Sequence, residues 1–557
     1  DVYKRQVYTY FQKFSTNLSL TTLKSVSQVY KFAHCPQNND MKNKSFLKGA
    51  FVLAIGGIIC KVLGAFYRVP LASILGDVGM GVYQLIYPIY AFLIVFVTSG
   101  LAGALTYVVG RNKKTYNFKN LKKFFWSALL FSGILCLFLG LSFVMFSNRL
   151  AGFLGNVDAE AGFVVAGVSA VFAGVIATLR GWFQGFEDMT PTAISQVLEQ
   201  VLKVGVGLWL SVRLLGFGVS YAVAGAFLGV LAGEVFAVIY LGIGFCVNKK
   251  KFVEFSKSRR KLGFWQATKL LFSKWFAFGL TGFIIPLTVA VDSFLVVNLL
   301  KRAGFGENVS TALFGIQSGM INSLINFPMI LAVSLSTSII PAISFLVKQK
   351  KMGEVKDKIN QSLRLVLFFS VPCALGLMTI SHNILLLFYP RLTPQMHEVA
   401  VVLLLISAFN VVYLGVLQIT SSILQALGHV YIPVFSSGVG CLLKIAITLV
   451  FVPNPNINIY GSAVAGVFSY LVPCLINIVA LRRDVRVDVG AKFVFALVLA
   501  SVFMAGATLA INNLMIELGG VVLTTFVCVI FAVVSYFVMM FGFSDIKMSE
   551  LGKTKKV

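Results

Sequence analysis

SFLKGAFVLAIGGIICKVLGAFYRVPLASILGDVGMGVYQLIYPIY, residues 45–90, is the stretch on which the fold turns. Its apolar run over 46–72 exceeds the ~20 residues that an α-helix needs to cross a bilayer's hydrocarbon core. A second run opens at 80 and continues to 109. Lys61 lies near the middle of the first run and Arg68 follows seven residues later, two helical turns on and nearly on the same face. Ionisable groups at that depth are costly, so the pair reads as a functional basic stripe rather than as surface charge.

The rest of the chain repeats this character. Of 557 residues, 58% are hydrophobic and 12% charged, with a mean hydropathy of +0.88, whereas a soluble domain carries about 25% charged residues. The chain is therefore expected to be an all-α polytopic membrane protein. Apolar runs at 46–72, 80–109, 124–147, 161–186, 191–215, 217–247, 275–300, 311–341, 360–380, 396–426, 430–452, 457–481, 493–514 and 517–542 predict about fourteen transmembrane helices. That leaves no room for a large soluble catalytic head.

The formal charge of +27 comes from 47 Lys+Arg against 20 Asp+Glu. The basic residues gather in alternate connections. Arg111, Lys119, Lys122 and Lys123 follow the second span; Lys249, Lys250, Lys257, Arg259 and Arg260 the sixth; Lys348, Lys350, Lys351 and Lys356 the eighth; and Arg482, Arg483, Arg486 and Lys492 the twelfth. The intervening connections hold only Arg149, Arg213, Lys301, Arg302 and Arg391. This alternation places both termini in the cytoplasm and explains the charge without nucleic acid. Residues 1–40 are polar and weakly patterned, so Met41 reads as the native start and 1–40 as a non-native or disordered extension.

Compared with itself at an offset of 241, the chain aligns Gln184 with Gln425, Lys203 with Lys444, and Ala222-Val223-Ala224-Gly225 with Ala463-Val464-Ala465-Gly466. The implied unit is six helices, used twice: an N-terminal lobe over 41–247 and a C-terminal lobe over 275–481, joined by a basic linker over 248–274. Residues 482–557 then carry two extra helices and a basic tail. An even number of spans in the offset gives both lobes the same orientation.

Further ionisable groups lie inside the spans. Glu199 and Lys203 form an i,i+4 pair with Gln196 on the same face; Arg180 precedes them in the fourth span, and Lys203 and Lys444 are expected to face one central space. Glu234 and Asp292 join Glu199 as acids that either neutralise a cation or carry a coupling ion. Gln184, Gln196 and Gln425 complete a polar cavity set. Pro88, Pro286, Pro328 and Pro372 permit bending within spans. Of eight Cys, seven lie in or beside apolar runs with no CxxC, and the four His form no cluster with them, so no disulfide framework, metal or cofactor is expected. No nucleophile elbow, phosphate loop or HExxH motif appears, so the chain is not expected to be an enzyme.

Residues 45–90 together with LRGWFQGFEDMTPTAISQVLEQVLKV (179–204), VDSFLVVNLL (291–300) and SLSTSIIPAIS (334–344) resemble the stage V sporulation protein B and polysaccharide biosynthesis family. That family sits in the multidrug/oligosaccharidyl-lipid/polysaccharide exporter superfamily, whose relatives include the MurJ-type lipid II flippases. The resemblance implies pseudo-twofold six-helix lobes around a cavity, with two extra helices beside a lipid-tail groove. It also implies a pyrophosphate on basic residues of the first span. Cys60-Lys61-Val62-Leu63-Gly64 matches the Ser-Arg-Val-Leu-Gly context with Lys for Arg. The resulting expectation is a flippase for undecaprenyl-pyrophosphate-linked sugars in the bacterial cytoplasmic membrane, alongside membrane lipids and cell-wall synthesis enzymes, with Lys61, Arg68, Arg180, Lys203 and Lys444 binding substrate. A multidrug cation antiporter using Glu199, Glu234 and Asp292, and a non-transporting scaffold for cell-wall synthesis, are the alternatives.

Overall fold

The computed structural model describes residues 42–112, 116–248, 252–253, 262–429, 431–485, 487–516 and 520–543, without the side chains at 42–51, 54, 277–278, 280–285, 337–338, 341, 345, 348, 516 and 543. The extension over 1–40, much of the linker and the basic tail lie outside these residues. Seventeen α-helices follow in order among the described residues: α1 (Lys42–Asn112), α2 (Phe118–Met145), α3 (Ser147–Leu154), α4 (Glu160–Gly185), α5 (Thr190–Leu214), α6 (Val219–Val247), α7 (Phe264–Arg302), α8 (Glu307–Phe314), α9 (Asn322–Lys348), α10 (Met352–Thr379), α11 (Ser381–Phe388), α12 (Pro394–Ser407), α13 (Phe409–Leu427), α14 (Tyr431–Phe451), α15 (Ile459–Asp484), α16 (Ala491–Ile516) and α17 (Val521–Phe543). No strand occurs among them.

Twelve stretches of described helix are long and apolar enough to cross a membrane. The first, Ile55–Asn112, has 58 residues, about 87 Å at 1.5 Å per residue, far beyond a ~30 Å hydrocarbon core. Gly76 breaks it, with φ +73 and ψ −171, a conformation costly for any side chain bearing a Cβ, and the two apolar runs of 45–109 become two passes. Gly218, at φ 121, likewise separates α5 from α6. The segment 264–274, assigned to the linker from sequence, is helical: α7 starts at Phe264, where the Gly263 N–H donates to Gln266 Oε1 at 3.1 Å. Lys269 and Lys274 had concealed this start in the hydropathy pattern.

The helix pairings recur in the two halves. α5 packs on α6, α4 on α6 and α2 on α4; equivalently α14 packs on α15, α13 on α15 and α10 on α13. The first pair is close because its contact face is glycine. A Cβ at Gly225 would lie 2.9 Å from the Leu210 carbonyl carbon, and Gly229 and Gly233 abut the backbones of Gly207 and Glu199. Small residues are what let helix backbones approach in lipid, where burial against a neighbour gains nothing over burial in acyl chains.

The buried apolar residues show how the halves meet. At the end opposite the basic connections, one continuous core joins Leu71, Met80, Phe163 and Ala222 of the first half to Leu300, Phe314, Leu385, Leu403 and Ala463 of the second. At the basic end there are two cores. One holds Leu105, Phe124, Trp182 and Leu241 with Leu271 and Trp275 of α7; the other holds Ile343, Ile359, Ile423 and Leu481. The halves thus share one core at the first end and hold separate cores at the basic end, where α7 bridges them: a Cβ at Gly100 would meet the Trp275 carbonyl at 2.8 Å, and Trp275 Nε1 donates to the Val97 carbonyl at 3.4 Å. Backbone contact seals the shared core: Gly81 abuts Thr311 and Gly315 abuts Asp77. Gln84 donates to the Ser318 carbonyl at 2.9 Å, Asn156 to Thr311 Oγ1 at 3.0 Å and Ser73 to the Phe388 carbonyl at 2.8 Å. α16 and α17 stand apart on α10, through a fourth core around Phe368, Leu497 and Met540.

Candidate functional site

Two neighbouring helices carry the basic residues within the spans of the first half. α1 and α5 run alongside each other: a Cβ at Gly56 would meet Ala193 Cβ at 3.0 Å, and one at Gly207 would meet Tyr67 Oη at 3.1 Å. This register sets Lys61, Tyr67 and Arg68 of α1 beside Gln196, Glu199 and Lys203 of α5. Beyond Gly76 the second pass of α1 returns with Tyr83, Tyr87 and Tyr90, a stripe spaced four and three residues apart.

Lys203 is 9% exposed. Its Nζ stands 4.8 Å from the Tyr87 ring centroid and 5.4 Å from that of Tyr67. The Arg68 guanidinium sits over the same Tyr87 ring at 5.9 Å. Ring faces attract cations by ~0.5–2 kcal/mol, which holds them without neutralising them. Among the described residues, no carboxylate forms an ion pair with Lys61, Arg68 or Lys203. Lys61 is exposed at the mid-depth of its pass.

The expected Glu199–Lys203 pair does not form. Glu199 instead pairs with Arg180 at 2.9 Å, and Arg180 Nε donates to Ser195 Oγ at 3.0 Å. The planar guanidinium reaches both partners at once, a geometry no ammonium offers, and Lys203 is left to the tyrosines. Lys444, unlike Lys203, has a carboxylate partner. Its Nζ lies 2.7 Å from Asp292 Oδ2 and donates to the Thr288 carbonyl at 3.1 Å, so its charge is cancelled inside the second half.

The repeat is broken where the halves should match. At the offset of 241, Arg180, Ser195 and Glu199 correspond to Ser421, Ser436 and Gly440. There Ser436 donates to Asn477 Oδ1 at 2.8 Å and Asn477 to Ser421 Oγ at 3.0 Å, a neutral network. Among the described residues, the cations at this depth that lack a carboxylate partner belong to the first half. The remaining polar set is dispersed: Gln184 Oε1 accepts from Thr106 at 3.3 Å, Gln196 is half-buried and Gln425 exposed. Glu234 is 5% exposed and accepts from Tyr90 at 2.8 Å and from Ser169. Among the described residues, no group of three or more His, Cys, Asp or Glu is arranged to hold a metal ion. Tyr67, Tyr87 and Tyr90 were not singled out from the sequence, although the spacing in YQLIYPIY (83–90) carried the signal.

The sequence pattern described as "Polysaccharide biosynthesis protein" matches residues 46–347, more than half of the chain. The chain belongs to the polysaccharide biosynthesis protein family. A second pattern, "Lipid II flippase MurJ", matches residues 304–535. Stage V sporulation protein B of Bacillus subtilis (strain 168) is 28% identical, covering 84% of this chain and 89% of that protein. Lipid II flippase MurJ of the same organism is 24% identical, over 79% and 83% of the two chains. Among solved structures, the inward closed conformation of lipid II flippase MurJ superposes with a TM-score of 0.66 at 16% identity, covering 88% of this chain and 98% of that one. The family therefore supplies a multi-pass membrane protein with the fold of the exporter superfamily, as the resemblance in residues 45–90 implied.

Proposed function

We propose that this polysaccharide biosynthesis family member moves a polyprenyl-diphosphate-linked sugar across the cytoplasmic membrane, and that the diphosphate docks on Lys203, Arg68 and Lys61. The observation that carries this reading is the buried, carboxylate-free Lys203 ammonium sharing Tyr87 with Arg68. Fixed cations in a desolvated site wait for an anion. Three uncancelled positive charges suit a diphosphate diester, which carries two negative ones. Relatives named as lipid II flippases support the lipid-linked substrate.

The charge balance disfavours a cation antiporter. Glu199 is taken by Arg180, Asp292 by Lys444, and Glu234 lies in the interior of the first half. In this reading the basic end faces the cytoplasm and both termini lie there, and a cleft between the halves opens to the cytoplasmic leaflet. The headgroup enters beside Lys61, while the prenyl tail stays in lipid near α16 and α17. Breaking the seal at Gly81–Thr311 and closing the basic end then exposes the headgroup on the far side. The chain relocates its substrate without altering its bonds, and cell-wall synthesis enzymes supply and consume that substrate.

The loaded cleft is nearly neutral and the empty one cationic. Each uncompensated charge moved through 100 mV is worth about 2.3 kcal/mol, so an inside-negative potential drives the return of the empty form. The test is the full chain reconstituted in liposomes with a fluorescent polyprenyl-diphosphate sugar, quenched chemically from one side. Protein-dependent loss of the protected fraction, accelerated by an imposed potential, is expected. Protection identical to that of protein-free vesicles overturns the proposal.

A further inference from the structure

The interior of the first half holds an acid that the anion site does not use. Glu234 on α6 is surrounded by α1, α2, α4 and α5. Tyr90 of α1 donates to Oε1 at 2.8 Å, Ser169 of α4 donates to Oε2, and Tyr90 and Ser169 hydroxyls lie 3.0 Å apart. Cys136 of α2, and Glu199 and Lys203 of α5, are the other titratable groups in electrostatic reach. None of them forms an ion pair with Glu234 among the described residues.

This arrangement differs from that of the other two acids in the spans. Glu199 and Asp292 each have a cation within 3 Å; the hydrogen-bond partners of Glu234 among the described residues are hydroxyls. A carboxylate in such surroundings is expensive as an anion and unremarkable as a neutral acid, whereas hydroxyl partners serve either form, since each can donate or accept. The cluster is thus built to tolerate a change of protonation, which an ion pair is not.

Its position ties it to the anion site. Tyr90 is one turn along α1 from Tyr87, which holds Lys203 and Arg68. Gly233, adjacent to Glu234, presses on the Glu199 backbone, and Gly229, one turn earlier, lies against the Lys203 carbonyl at 2.9 Å from an added Cβ. The charge state of Glu234 is therefore felt at Lys203, and the occupancy of Lys203 is felt at Glu234.

We infer that Glu234, with Tyr90 and Ser169, is a proton-binding site coupled to the anion site of the cleft. The inference rests on the anion-site reading for its coupling partner, though not for the existence of the proton site. The sign follows from the charges. An anion on Lys203 and Arg68 cancels the positive field that favours an ionised Glu234, so anion binding draws a proton onto it. By reciprocity a proton on Glu234 tightens anion binding by the same factor.

Infrared difference spectra of the purified full chain between acid and alkaline buffer test the proton site alone. One buried carboxyl C=O band is expected, lost in Glu234→Gln and shifted in frequency by Ser169→Ala, which keeps the acid and changes one partner. A wild-type band that survives unchanged in Glu234→Gln, or no such band in wild type, overturns the inference. Coupling is then read by adding a short-chain polyprenyl diphosphate in weak buffer with a pH dye. Wild type takes up close to one proton per bound probe and binds it more tightly in acid. Glu234→Gln binds the probe with no proton uptake, whereas undiminished uptake in that variant overturns the coupling. If the probe fails to bind wild type at all while the band behaves as expected, it is the anion-site reading that falls and the proton site that stands.

Discussion

Gly315 lies at the seal, and adding one methyl group there should open it. A Cβ on residue 315 would meet the Gly81 nitrogen at 2.5 Å and its Cα at 2.9 Å, with the Asp77 carbonyl oxygen closer still. Carbon atoms pack comfortably at ~3.5–4.0 Å, so the two backbones must part by about 1 Å. Neither can yield locally: residue 315 opens the π-helical segment Gly315–Ile321, and Gly81 belongs to the α1 helix. Overpacking of this kind costs ~1–3 kcal/mol, and the strain falls on the sealed form alone. At 1.4 kcal/mol per factor of ten, Gly315→Ala shifts the balance towards the unsealed form by roughly 5–150-fold. The readout is the rate at which a membrane-impermeant maleimide labels Asp77→Cys from outside, with the parent chain as the background for its native thiols. Asp77 lines a small pocket at the sealed end with Ser73, Met320, Tyr389 and Arg391. A labelling rate in the double variant within twofold of Asp77→Cys alone would refute the assignment of this contact as the seal.

Other consequences concern the charges. Lys444→Met leaves Asp292 as a buried, uncancelled anion and should cost ~3–5 kcal/mol of stability, seen as a lower Tm in detergent; Lys444→Met with Asp292→Leu should recover most of it, since that pair is structural. Glu199→Gln frees Arg180 towards the cleft and should tighten binding of a polyprenyl diphosphate by up to about tenfold, at ~1.4 kcal/mol, with a steeper dependence on salt. Gly229→Leu, at the closest approach of α5 to α6, should prevent recovery of folded protein altogether, measured as loss of the monodisperse peak on size exclusion.

Much of the architecture was written in local pattern. Apolar runs bounded by charge gave most helix ends within a few residues, the starts of α7 and α10 excepted, because hydrocarbon thickness and backbone hydrogen bonding leave a spanning segment few alternatives. The repeat, read from Gln184/Gln425 and Lys203/Lys444, reappears as matching helix pairings. The partners of the buried charges were not legible in this way. Glu199 and Lys203 are four apart on one helix face, yet an i,i+4 pair is worth only ~0.2–0.5 kcal/mol, and Arg180, nineteen residues away in sequence, presents a fork that also reaches Ser195. Lys444 looked like the twin of Lys203 because sequence shows the residue and not the Asp292 of a different span beside it. α3 and α11, eight residues each, and the π-helical turn at Gly315–Ile321 fall below the length at which periodicity speaks.

The uncancelled cations of the first half are tested most directly by comparing two charge deletions in one binding measurement. Full-length protein in nanodiscs is titrated with a short-chain polyprenyl diphosphate, as wild type, as Lys203→Met, and as the neutral swap Lys444→Met with Asp292→Leu. A charge-assisted contact contributes ~1.5–3 kcal/mol, so Lys203→Met should weaken binding by about 10–150-fold, while the neutral swap stays within about threefold of wild type. Equal affinity for Lys203→Met and wild type, or a loss confined to the Lys444 variant, would contradict the account.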